Sequence, residues 1–184
     1  MGGMAARYDA LLAELAREFP RFRLVRKDRS RGQRAIHHLL RVLTLGGQRT
    51  YLTDYVTTIG QAVYVTPDWD DLPEQERICT LRHEREHLRQ FRRYTLPGMA
   101  IAYLLLPLPM GLAWCRARLE WQGYAETIRA HAEEYGLERV AAPTFRAYIL
   151  RQFTSGAYGW MWPFPRQVGR WFDEVVATLR AGGQ

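Results

Sequence analysis

The spacing of apolar positions divides the chain into helices toward both ends and a strand-rich stretch between them. Leu11, Leu12, Leu15 and Phe19 recur along one face from Ala5 to Phe19, and Pro20 closes that helix. Phe22 to Lys27 alternates apolar and polar, which predicts a short strand. Ser30-Arg31-Gly32-Gln33 has capping-box spacing and predicts a helix to about Leu43. Gly46-Gly47 breaks the pattern. β-branched and aromatic residues from Tyr51 to Thr58, a turn at Ile59-Gly60-Gln61 and the apolar Ala62 to Thr66 then predict a hairpin. An exposed edge of such a hairpin could hold an extended peptide through main-chain hydrogen bonds, or the hairpin could simply support a helix.

The second half reads mostly as helix. Asp70-Asp71-Leu72-Pro73-Glu74 supplies acidic residues and a proline where a helix begins. Ile78, Leu81 and Leu88 continue it as one apolar stripe, predicting a helix over 72–93. A second helix is predicted over 113–135, closed by Gly136. A third spans 143–153 behind Ala142-Pro143-Thr144, and a last spans 168–179, with Trp171, Phe172, Val175, Val176 and Leu179 apolar. The expected fold class is therefore α+β, with a small antiparallel sheet packed on helices. At 184 residues a single domain, 1–184, is expected. Its core would lie at roughly 50–135, followed by an aromatic and helical part at 143–180.

One stretch fits neither period. From Tyr94 to Cys115 there are 22 residues without a charge, with arginines on both flanks. Length alone would suit a membrane span. Pro97, Pro107 and Pro109 argue against one regular helix. The expectation is a folded-back apolar segment, 94–115, either buried or in peripheral contact with a membrane surface. The loop Gly156 to Pro165, with Trp160, Trp162 and Phe164, could cap the core, line a groove or anchor at an interface.

Composition changes this picture little. Net charge is +7, carried mainly by arginines spread along the chain. With no nucleic-acid module visible, a nucleic-acid partner is disfavoured. Cys79 and Cys115 make no disulfide framework, which fits a reducing compartment. Met1-Gly2-Gly3-Met4 is not a secretory signal, and Ala6 stands where a myristoylation signal carries Ser or Thr, so a cytoplasmic location is expected.

The chemistry concentrates at His83-Glu84-Arg85-Glu86-His87. On a helix, residues four apart lie roughly 40° apart around the axis and about 6 Å along it, so both imidazoles can close on one zinc ion. Glu84 can then act as general base toward water activated there. Cys79, one turn before His83, sits roughly 12 Å from His87 along the axis, too far for one ion to take all three, and reads as a buried small residue. Glu86 points away from the pair, toward neighbouring arginines. His37 and His38 are adjacent and face different directions, so they are no ligand pair.

A catalytic zinc needs a third protein ligand. Glu120 on the 113–135 helix, 33 residues after His87, is the candidate, with a salt bridge to an arginine as its plainer alternative. Glu126 is the fallback and projects from the other side of that helix. Tyr124 lies one turn beyond Glu120, where its hydroxyl could orient a ligand or meet an oxyanion, or its ring could simply pack. His131 is too distant along the helix to join.

His83-Glu84-x-x-His87 followed by Glu120 on a downstream helix resembles the gluzincin class of zinc metallopeptidases. The resemblance covers roughly residues 50–130. It implies a zincin-like fold, His83, His87 and Glu120 as zinc ligands, Glu84 as the base, and a peptide or protein substrate. Many gluzincins carry an Asp four residues after the ligand Glu to orient the first His. Here that position is Tyr124, which brings no negative charge, so the support of His83 must be built differently. A zinc-stabilised scaffold without turnover, binding protein or membrane, is the alternative from another class.

Overall fold

A computed structural model describes residues 2–43, 45–47, 49–104, 113–155 and 161–182, and the side chains of 2–5, 43, 100–104 and 113 lie outside that description. The chain forms two compact units, residues 1–80 and 81–184. The fold is mixed α and β, with seven α-helices and three strands among the described residues.

The first unit begins with helix α1 (Gly2–Glu18), which buries Leu11 and Leu15 together with Phe19 just beyond it. Strand β1 (Arg23–Arg26) follows, then helix α2 (Arg31–Leu43). Ser30 caps α2, its Oγ accepting the Gln33 backbone N–H at 3.3 Å. Strands β2 (Thr57–Ile59) and β3 (Ala62–Val65) form the expected hairpin, turning at Gly60, whose φ of +62° suits glycine.

Two expectations are corrected here. The sheet is not purely antiparallel. Its order is β1-β3-β2, and β1 pairs in parallel with β3, Leu24 opposite Val63. A parallel pair needs a long crossover, and α2 with the following loop supplies it. The first hairpin strand is also much shorter than 51–58, because residues 50–54 form a turn closed by Asp54 N–H to Thr50 O at 2.9 Å. Tyr51 is drawn into other bonds. Its carbonyl accepts from the fully buried Lys27 Nζ at 2.9 Å, its ring lies 3.8 Å from that ammonium, and its hydroxyl donates to Gln33 Oε1 at 2.7 Å.

Helix α3 (Glu74–Leu104) starts after Pro73 in the first unit and runs into the second. It is broken at Thr95, where φ is +60° and ψ 171°. The break places Pro97 in the first turn of the new segment, where a missing N–H costs nothing. Helix α4 (Ala113–Tyr135) has the bounds its periodicity predicts, and Gly136 follows at φ +88°. A short α5 (Leu137–Ala141), unmarked in the sequence pattern, leads to α6 (Pro143–Thr154) and α7 (Pro165–Gly182).

The core of the second unit is aromatic. Phe153 is fully buried, with Trp121 at 5.9 Å, Tyr124 at 5.2 Å and Trp171 at 6.5 Å between ring centroids. Met161 and Trp162 cap this core, and Trp162 Nε1 donates to Gln167 Oε1 at 3.0 Å. Arg146 ties α6 to α7 through a two-point ion pair with Asp173 at 2.9 and 3.0 Å.

The 94–115 segment divides. Met99 is buried, whereas Tyr94, Leu96 and Trp114 are exposed. Most of the Leu104–Met110 run and the first half of the aromatic loop, residues 156–160, lie outside the described residues. No helix among the described residues is long and apolar enough to cross a membrane.

Candidate metal centre

The site is built by two antiparallel helices of the second unit. His83, His87, Gln90, Tyr94 and Gly98 follow one stripe of α3 at helical spacing. They meet α4 in descending order: His83 lies against Gly123 and Thr127, Gln90 against Leu119 and Gln122, and Tyr94 and Gly98 share a cavity with Trp114 and Cys115. Leu81 and Leu88, on the other side of α3, are fully buried and fix its rotation.

The two imidazoles face each other. Their Nε2 atoms are 3.1 Å apart, and Glu120 Oε2 stands 4.0 Å from His83 Nε2 and 3.7 Å from His87 Nε2. His87 and Glu120 are buried and His83 nearly so, and these three residues form a group able to hold a metal ion. Glu84 is buried at 5% exposure, next to His83 on the same helix.

Both outer nitrogens are engaged. His83 Nδ1 lies 2.9 Å from Thr127 Oγ1, and that hydroxyl donates to Gly123 O at 3.1 Å. Its proton is thus committed, so Oγ1 accepts the His83 Nδ1–H. His87 Nδ1 lies 2.9 Å from Gln90 Oε1, while Gln90 Nε2 donates to Leu119 O at 2.9 Å and Gln122 Oε1 at 3.1 Å. The Gln90 oxygen accepts from His87 in turn. Both imidazoles therefore carry Nδ1–H and turn an Nε2 lone pair inward.

That donor set fits a divalent metal. Zinc–nitrogen bonds of about 2.0–2.1 Å at tetrahedral angles put two ligand nitrogens about 3.3–3.4 Å apart. The 3.1 Å spacing is close to this, and Glu120 needs to approach by only about half an ångström. Two buried carboxylates beside two inward lone pairs also call for positive charge between them. Without a metal, a proton serves. Burial first, and then His87, hold the His83 pKa well below the ordinary 6.5. Burial pulls His87 down as well, but Glu120, Glu84 and the Gln90 bond together raise it above 6.5.

Gly123 makes the approach possible. A Cβ there would lie 2.7 Å from both Cε1 and Nε2 of His83. Tyr124, beside it, packs its ring edge-on against His83 at 4.8 Å and belongs to the aromatic core. The residue that takes the His83 Nδ1–H is Thr127, seven positions after Glu120, while Tyr124, four positions after it, meets His83 through its ring.

The other candidates fall elsewhere. Glu126 is taken by Arg82, which spans it at 2.6 Å and also pairs with Glu133, pinning α3 to α4. Those two carboxylates hold the Arg82 pKa above its ordinary value, against the opposing effect of burial. Glu86 pairs with Arg89 at 2.6 Å. His131 Nδ1 bonds to Thr127 O at 2.9 Å and its ring stacks on Phe145. Cys79 is buried in the first unit.

Gln90, Thr127 and Gly123 are absent from the sequence-level site. Gly123 carried a signal, since a glycine inside a helix marks a close approach. Gln90 lies one turn from His87 and Thr127 two turns from Glu120, spacings that many irrelevant polar residues share. Compared with family models, with curated proteins and with solved structures, the chain matches none.

Proposed function

We propose that this chain is a zinc-dependent metallopeptidase, with α3 and α4 as the helical half of a zincin-like domain. His83, His87 and Glu120 would hold the ion. The observation that carries the reading is the inward-facing Nε2 pair, 3.1 Å apart, with each Nδ1 held by a committed acceptor. A structural salt-bridge cluster has no need of two lone pairs aimed at one point.

Bound there, zinc would supply Lewis acidity that lowers the pKa of water toward about 7. Glu84 receives the proton of the attacking water and returns it to the leaving amine, the role its burial beside His83 suits. Thr127 and Gln90 keep both imidazoles in the Nδ1–H form. Tyr124 fixes the His83 ring by packing, and its hydroxyl is assigned to the substrate carbonyl oxygen.

The test begins with metal content in protein purified without added metal. About one zinc per chain is expected in the wild type, lost in His83→Ala and weakened in Glu120→Ala. The loaded protein is then assayed on a diverse peptide library. Cleavage that Glu84→Gln abolishes with zinc retained supports the reading, and a fall in kcat without a change in KM for Tyr124→Phe supports the hydroxyl assignment. No zinc uptake by folded wild type sinks the metal centre. Zinc without cleavage, or cleavage unchanged in Glu84→Gln, leaves only a zinc-stabilised scaffold.

A further inference from the structure

Charge is segregated in the second unit. Between Glu86 and Glu120 every ionisable acid is missing, while Arg89, Arg92, Arg93, Arg116 and Arg118 are present. Between Glu138 and Asp173 the same holds, with Arg139, Arg146, Arg151, Arg166 and Arg170. Ten arginines thus lie in two stretches without one Asp or Glu, although Arg89 and Arg146 pair with Glu86 and Asp173 at the bounding positions.

Rings of the two stretches meet in the fold, and exposed aromatic and aliphatic residues lie beside them. Leu96 is 57% exposed, Tyr94 42%, Phe164 41% and Trp114 37%. Tyr94 and Trp114 wall one cavity of about 360 Å³, which Arg118 also lines. The Trp114 ring is 5.0 Å from Trp162, which is 4.9 Å from Phe164. Arg118 sits over both Trp114 and Trp171, at 5.5 and 5.2 Å. Residues 92–97 form an unbroken exposed run beginning with two arginines.

We propose that this face binds the surface of an anionic phospholipid bilayer. Tryptophan and tyrosine favour the headgroup level, where ring and polar edge are both satisfied. Arginines beside them pair with lipid phosphates, each basic group near an anionic surface adding attraction. Exposed Leu96 and Phe164 would enter the acyl boundary, which a nucleic-acid partner would not reward. The inference does not rest on the metal reading: chelator-treated wild type should bind vesicles as the untreated protein does.

The test is co-sedimentation of the full chain with vesicles of phosphatidylcholine alone and with about a third phosphatidylglycerol. Binding is expected to the mixed vesicles at 50 mM salt, at least tenfold weaker to neutral ones, with a blue shift of tryptophan emission. Arg92→Glu with Arg93→Glu, both on the exposed run, weakens binding at least tenfold and flattens its salt dependence. Leu96→Ser weakens it while keeping the salt dependence. Far-ultraviolet circular dichroism checks that each variant is folded. No binding of folded wild type to anionic vesicles overturns the proposal. So does unchanged binding in the double arginine variant, or capture of a single-stranded RNA oligonucleotide with no vesicle binding.

Discussion

Gly123→Ala isolates the close approach of α4 to His83. In an exposed helix interior this exchange stabilises by about 0.8–1.0 kcal/mol, since alanine loses less backbone entropy. Here the new Cβ would stand 2.7 Å from Cε1 and Nε2 of His83, and ordinary contact starts at 3.4 Å. Ring or helix must therefore yield by 3.4 minus 2.7, about 0.7 Å. Both imidazole edges are engaged, by Thr127 and by His87, so the ring cannot slide without breaking a contact. Overpacking of this size costs about 1–3 kcal/mol, so the metal-free variant should be destabilised by about 0–2 kcal/mol net. The metal penalty is larger. Ligand positions tolerate about 0.2 Å, and a displacement three times that should weaken zinc at least tenfold. A chelator-competition titration reads the affinity, and urea unfolding with and without chelator reads the stability. Wild-type zinc affinity, or a variant stabilised by the full helix-propensity gain, would refute the close approach.

Three further outcomes follow from the same geometry. Gln90→Ala removes the acceptor that holds His87 Nδ1, and zinc affinity should fall about 10- to 100-fold while helicity is kept; an unchanged affinity would show the bond to be idle. Metal-free protein should draw a bell-shaped stability contribution from the histidine pair. His83, with its pKa lowered on folding, removes stability as pH falls below 6.5, and His87, with its pKa raised, loses its contribution as pH climbs above 6.5. Urea midpoints of chelator-treated wild type, with His83→Ala and His87→Ala as references, read this, and a monotonic difference across pH 5–8 would contradict it. Phe153→Ala should cost about 3–5 kcal/mol, because the ring is fully buried among Trp121, Tyr124 and Trp171; a loss under about 1 kcal/mol in denaturant unfolding would mean the core closes around the gap.

Local periodicity carried far in this chain where the interactions are local. The bounds of α4 follow from its apolar face and Gly136, and the convergence of His83, His87 and Glu120 follows from helical spacing plus one packed neighbour. Partners set by long-range pairing were not legible. Nothing in Arg23–Arg26 says that it joins β3 rather than another strand, or in which direction. Nothing around Tyr51 says that Lys27, 24 positions earlier, will claim its carbonyl and ring and so end the strand pattern there. The prolines did announce an interruption near 97. Its placement at Thr95 depends on how the two helical segments pack and is invisible locally.

Arg82 gives the paired helices a property of a vernier scale. It engages Glu126 and Glu133, seven residues apart on α4, and so fixes which turn of α4 stands opposite which turn of α3. A slip of one turn, about 5.4 Å, would replace Glu120 opposite the histidines with Arg116 or Tyr124. One alternative presents a cation and the other a neutral phenol, and neither could stand in for the carboxylate. Alignment of the two helices and capacity for a metal are therefore one quantity in this protein. The partly buried ion pairing of Arg82, the residue next to His83, thus decides which side chain of α4 the two histidines meet.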